Sequence, residues 1–222
     1  MSMGKLMCCA WAMMCLSFLS WAGKDVDNED VDIARFSQGN LSGWQSRTFS
    51  GVTHYNLVNE DGQTVLRADS TAAASGLYRE VSVDLGKTPI LNWKWKIAGL
   101  LRASANERTR AGDDYPARVY VVFSRGLMFW RTYAINYVWS NRLPVGSSWP
   151  NAFTSNARMV AVESGSDRAG LWVYERRNVH ADYRRLFGEE PGRVNAVAIM
   201  TDTDNTGTNA TAWYGDIWFS SE

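Results

Sequence analysis

The heptapeptide Leu91-Asn92-Trp93-Lys94-Trp95-Lys96-Ile97 alternates strictly between apolar and polar residues. Successive side chains of an extended chain point to opposite faces. Leu91, Trp93, Trp95 and Ile97 therefore share one face, and Asn92, Lys94 and Lys96 the other. This predicts a half-buried strand with tryptophan inside and solvated lysine outside. Tyr133 to Trp139 repeats the pattern with Tyr133, Ile135, Tyr137 and Trp139 together. A chain built this way must hide one sheet face against a second layer.

Further segments fit the scheme. His54 to Asn59 and Gln63 to Asp69 flank Asp61-Gly62, a pair that tolerates positive φ at both central turn positions and so predicts a hairpin. Leu77 to Leu85, Val119 to Phe123, Met159 to Glu163, Leu171 to Asn178, Val194 to Thr201 and Trp213 to Phe219 read as the other strands. One helical turn or two is expected at His180 to Phe187, with Gly188 as its C-cap. About ten to twelve short strands predict an all-β, two-sheet antiparallel sandwich of jelly-roll type. It spans 33–222 as a single domain, after a loose acidic lead-in at 23–32.

Residues 1–22 have the form of a cleaved signal peptide. Lys5 precedes the apolar run Leu6 to Leu19, and Ser20-Trp21-Ala22 supplies small residues for cleavage before Gly23. The alternative is an uncleaved anchor, which would be the chain's only link to a membrane; the run is short for a span. All three cysteines, Cys8, Cys9 and Cys15, fall in this segment, which leaves the exported chain without thiol chemistry. The expected location is periplasmic or secreted. The 23 basic and 23 acidic residues cancel, so no field draws the chain to nucleic acid. Tryptophan is the outlier at 11 residues, and it serves both as core and as a platform for sugar rings.

Four constellations are candidate sites. The strand tip Ala198 to Gly207 carries Asp202, Asp204, Asn205 and Thr206, oxygens at the alternate spacing of a calcium loop. The EF-hand match fails at its twelfth position, which is Trp213. Calcium ligation, direct ligand contact and a turn bonded to its own backbone all remain open. If the last two strands form a hairpin, Asp216 lies on the order of 16 Å away and pairs with an arginine instead.

Asp113 and Asp114 close a long loop from Gly99 to Pro116 just before Arg118. They read either as ligand contacts or as loop-closing bonds with a salt bridge. A second long loop, Ser140 to Asn156, presents Trp149. Loops of this length tend to be functional. Period two puts Trp172, Tyr174 and Arg176 on one face, either a sugar-binding strip or core aromatics ending in an ion pair. The two histidines, His54 and His180, have no Ser or Asp at motif spacing, and no hydrolase signature occurs.

Gly112-Asp113-Asp114, Ala117 to Phe123, Asn136-Tyr137-Val138-Trp139, Met200 to Thr206 and Tyr214-Gly215-Asp216-Ile217 together resemble the exported bacterial family catalogued as domain of unknown function 3047. The likeness runs from about Phe36 to Phe219 and implies export without implying an activity. Phe36 with Trp44, the Leu91–Trp95 strand and the closing Tyr214–Ile217 strand are more loosely similar to galactose-binding-like jelly rolls among carbohydrate-binding modules. In those modules a terminal aspartate at the place of Asp216 serves a structural calcium.

The expected function is binding of a carbohydrate or other hydroxylated cell-envelope ligand. Trp139, Trp149 or Trp172 would stack on it, Arg118 and Arg176 would donate, and Asp113 and Asp114 would accept. A glycan hydrolase or lyase on the same scaffold, or an envelope interaction module, are the alternatives. The binding reading expects the 113–118, 172–176 and 202–206 segments to gather at one mouth of the scaffold, and placing them on opposite sides counts against it.

Overall fold

The computed structural model describes residues 30–102, 106–123 and 132–222. Residues 1–22, expected to be a signal peptide, and the three cysteines they contain lie outside the described residues. Among those described, no helix is long and apolar enough to cross a membrane.

Two sheets pack face to face. The first contains β1 (Val31–Ala34), β3 (His54–Glu60), β4 (Gln63–Thr71), β6 (Ile90–Ile97), β11 (Val173–Asn178) and β13 (Asn209–Ser220). Its order is β11-β6-β13-β4-β3, with β1 pairing the end of β13. The second contains β2 (Trp44–Ser50), β5 (Ala74–Val83), β7 (Arg118–Phe123), β8 (Tyr133–Ser140), β9 (Ser148–Pro150), β10 (Ala157–Ser164) and β12 (Val194–Asp202). Its order is β2-β5-β12-β7-β8-β10-β9. The fold is the expected all-β sandwich. Its described ladders are antiparallel except β8 with β10, which run parallel. The long 140–156 connection makes that pairing possible, because a parallel neighbour needs a crossover of about a dozen residues or more.

The alternating strands meet in the core. Trp93 of β6 lies 5.5 Å from Tyr137 of β8, and Trp95 lies 6.0 Å from Trp139. Such pairs contribute about 0.5–1.5 kcal/mol beyond the area they bury. Asp61 and Gly62 take φ of 54° and 81°, the primed turn the hairpin required. The helix α1 (Val179–Phe187) starts at Asn178, whose side chain accepts from the Ala181 N–H at 2.8 Å. It ends at Gly188 with φ 73°. Tyr183 docks it on Phe123, ring centroids 4.6 Å apart.

Four expectations change. The lead-in is already structured at Val31, because Ile33 alternates inward and is fully buried. The edge strands β2 and β9 went unseen, since β2 is polar and largely exposed and β9 has three residues. Lys96 is 7% exposed rather than solvated. Trp172 and Trp213 cover its ammonium at 5.3 and 4.7 Å, and Glu60 pairs with it.

The fourth concerns β12 and β13, which lie in different sheets and are not hairpin partners. Asp216 sits in a bulge between Tyr214 and Ile217. It accepts from Ser37 N at 2.8 Å and Ser37 Oγ at 2.5 Å, and so fastens the N-terminal turn rather than pairing with an arginine.

Candidate functional site: a groove on the seven-stranded sheet

Inward positions of β7 and β12 (Val119, Val121, Val197, Ile199) fill the core. Their outward positions make the floor of a groove. Arg118 and Tyr120 come from β7, Ala198, Met200 and Asp202 from β12, and Ala134 and Asn136 from β8. Short side chains in the middle of the sheet leave a depression. Gly76 in β5 has no room to be larger, since a Cβ there would meet Ile199 O at 2.9 Å. Phe49 on the β2 edge and Phe153 beyond β9 stand on the two banks, 63% and 53% exposed. Each has a guanidinium against its ring, Arg47 at 5.4 Å and Arg110 at 5.2 Å. The main cavity is about 430 Å³, within the roughly 300–1,000 Å³ usual for small-ligand sites, and adjoins a hollow of about 240 Å³.

One end of the cavity is polar and tightly built. Arg118 Nε donates to Asp202 Oδ1 at 2.8 Å, and its Nη2 bonds both Asp202 Oδ2 and the Asp113 carbonyl. Tyr115 supports the guanidinium with its ring, 4.5 Å away. Burial disfavours the charge on Arg118, but Asp202 and then Tyr120 and Asp113 more than offset this and raise its pKa. Burial likewise pushes the Asp202 carboxyl up to about 7 against the pull of Arg118. From beneath, Tyr214 of the other sheet reaches through the core. Its hydroxyl donates to Met200 O at 2.8 Å and accepts from Arg118 N at 3.3 Å, which fixes where β7 and β12 meet.

Asp113 is 4% exposed, and its Oδ2 accepts from Asn151 Nδ2 at 2.9 Å. Its Oδ1 has no hydrogen-bond partner and lies 3.8 Å from Arg118 Nη1. Burial raises its pKa, only partly offset by Arg118 and Asn151. Asp114 has a different task. It accepts from Asn205 N and Nδ2 at 3.3 and 3.1 Å, and from Thr206 N and Oγ1 both at 2.6 Å. The loop after β12 is thereby latched to the loop before β7.

Asp114, Asp202 and Asp204 bring carboxylate oxygens within 4.8 Å of one another. The residues do not fit a resident calcium ion, however. Arg118 covers Asp202, while Asn205 and Thr206 turn N–H and O–H groups toward Asp114 rather than lone pairs toward a cation. Close carboxylates leave the hydrolase alternative standing on separation alone, but Asp202 and Asp114 are already engaged.

The 113–118 and 202–206 segments therefore meet at one site, whereas 172–176 does not join them. Trp172, Tyr174 and Arg176 face outward from the six-stranded sheet, opposite the groove; Val173 is buried while Tyr174 is 71% exposed. Lys94 and Lys96 lie 4.9 and 5.3 Å from the Trp172 ring. Trp139 is fully buried and donates to Gly165 O at 3.0 Å. Trp149, 4% exposed, packs on Tyr115 with centroids 6.5 Å apart. Neither ring is open to a ligand; both lie on alternating strands whose packing claims them. Tyr120, Asn136, Asn151, Phe49 and Phe153 were not anticipated. Period two from Arg118 reaches Tyr120, and Asn136 is the lone amide in an apolar strand, so those two had a signal.

The sequence profile of the proteins of unknown function (DUF3047) matches residues 42–218. The chain belongs to this family. A comparison with curated proteins gives no match for the DUF3047 chain. Among solved structures it is similar to a cleaved adhesin domain of Lys-gingipain, with TM-score 0.42, 10% identity, and coverage of 86% of this chain and 99% of that one. A family 29 carbohydrate-binding module complexed with mannohexaose gives TM-score 0.40, 11% identity and coverage of 86% and 89%. A xylan-binding domain of Paenibacillus barcinonensis Xyn10C gives TM-score 0.41, 11% identity and coverage of 87% and 99%.

Proposed function

We propose that this chain binds a carbohydrate or another hydroxylated ligand in the groove of the seven-stranded sheet, and that it does so after export to the periplasm or beyond. One observation carries the reading. Two exposed phenylalanines, Phe49 and Phe153, line a cavity that also holds the buried Arg118–Asp202 pair. Rings offer faces for sugar C–H groups, and fixed polar groups give orientation, the usual division of labour in small-ligand sites. Arg47 and Arg110 at the banks add donors for hydroxyls.

Isothermal titration against neutral, acidic and amino oligosaccharides tests this. Phe49→Ala and Phe153→Ala, at exposed positions, should each weaken binding about tenfold, roughly 1.4 kcal/mol. Trp172→Ala, on the opposite sheet, should change nothing. No heat with any glycan, or an equal loss in Trp172→Ala, would remove the proposal.

A further inference from the structure

We propose that the deep end of the groove receives a primary ammonium group, which makes the ligand an amino sugar with a free amine rather than an N-acetylated, neutral or uronic one. This rests on the groove reading above and sharpens it. Asp113, Asp114, Asp202 and Asp204 gather here around one guanidinium, Arg118, so carboxyl groups outnumber cations four to one. The other two arginines of the groove, Arg47 and Arg110, stand at the banks against Phe49 and Phe153.

One guanidinium serves all these carboxyl groups, and its Nη1 already lies 3.8 Å from Asp113 Oδ1. Arg118 spends Nε and Nη2 on Asp202 and on the Asp113 carbonyl. Asp114 is consumed by Asn205 and Thr206, and Asp202 by Arg118 and the Tyr115 N–H at 3.2 Å. Two acceptors are left over, on side chains that both line the cavity: Asp113 Oδ1 and Asn136 Oδ1, in residues 4% and 2% exposed. Asp204, half-buried, lines the same cavity; its carboxylate takes a 3.0 Å bond from Asn205 Nδ2 and backbone N–H bonds at Asp204 and Asn205. Unmatched buried acceptors are costly, and native structures supply a partner for nearly all of them.

An ammonium carries three N–H donors, a positive charge and no acceptor. That suits a cavity end lined by acceptors and carboxyl groups. A hydroxyl brings one donor and no charge. An acetylated amine brings one N–H and a carbonyl oxygen that would face carboxylates. A uronate would add a fifth carboxyl group. The upward pKa shifts of Asp113 and Asp204, caused first by burial, reflect the same shortage of cationic partners.

The test is titration calorimetry of the protein with a glucosamine tetramer, its fully N-acetylated counterpart, a neutral glucose tetramer, a galacturonic acid tetramer and calcium chloride alone. The glucosamine tetramer should bind at least tenfold more tightly than the other three. Its affinity should fall as salt is added. Asp204→Asn, a near-isosteric change at a half-buried position, should cost about tenfold for the glucosamine tetramer and leave the neutral one within twofold. Asp113→Asn, which keeps an acceptor for Asn151, should do the same if its melting temperature is unchanged. Neutral or acetylated tetramers binding as well as the amine would overturn this inference and leave the groove proposal intact. Calcium binding that displaces the amine would overturn it in favour of a metal site. Silence from all four tetramers would bring down the groove proposal itself.

Discussion

Glu175 offers a quantitative test of how the two sheets are held together. It points inward from β11, where it accepts from Trp95 Nε1 at 3.2 Å. Burial, and next the neighbouring Glu163 carboxylate, push its pKa from 4.5 up to about 8. Folded protein thus holds this proton more tightly than unfolded protein. The stability it contributes is fully present below about 4.5 and is lost as pH rises through about 8. At about 1.36 kcal/mol per pH unit the ceiling is about 5 kcal/mol. Partial solvent access and relaxation around a new charge reduce this, and about 2 kcal/mol is the expected loss.

Glu175→Gln keeps the shape and a carbonyl acceptor for Trp95 but cannot ionise. Other acids raised by burial, Asp202 among them, remain in both proteins, so the difference isolates Glu175. Between about pH 5 and about pH 8.5 the urea midpoint should fall less for the variant than for wild type. Wild type should lose about 2 kcal/mol more across that interval, or about 4–8 °C in melting temperature for a domain of this size. Parallel pH profiles for the two proteins would refute the reasoning. Arg168, which bonds Glu163, would then be compensating both carboxylates.

Two more perturbations separate scaffold from site. Asp216→Ala removes both hydrogen bonds from Ser37 and should lower stability by about 1–3 kcal/mol in urea unfolding. Glycan affinity should stay within twofold, and a tenfold loss would mean that the N-terminal turn shapes the groove. Asp114→Ala strips four hydrogen bonds from the loop after β12. Amide hydrogen exchange at Asn205 and Thr206 should accelerate at least tenfold, with core amides such as Val121 unaffected; unchanged exchange would show that the latch holds nothing.

The architecture was legible because strand periodicity is local. Alternation at Leu91–Ile97 and Tyr133–Trp139, the Asp61-Gly62 turn and the Gly188 cap each need only neighbouring residues, and each appears where expected. What local pattern cannot carry is which strands become neighbours. Whether the last two strands pair as a hairpin was open in the sequence, and they do not, because β12 and β13 belong to different sheets. The Trp172–Arg176 row was placed correctly on one face, but no local signal says on which sheet that face lies. The convergence of Asp113, Arg118 and Asp202 was suggested by loop-end clustering of polar residues. Phe49 and Phe153 had no such mark, since an isolated exposed phenylalanine in a polar edge segment looks like any other surface residue.

Arg118 shows why scaffold and site are hard to divide here. A buried ion pair seldom adds net stability over well-packed apolar residues, while removing one partner costs about 3–5 kcal/mol. Arg118 and Asp202 occupy outward positions of two central strands whose other outward residues are small or apolar. Leucine or methionine there would close the groove with no charge to desolvate. The pair instead keeps that end open, and Tyr214 extends its hydroxyl through the core to brace the backbone beside it. The Tyr214 ring packs in the core, and its hydroxyl adds polar contacts that packing alone does not require. That brace makes sense as the fixed side of a binding site, where acceptors must be held in place before a ligand arrives.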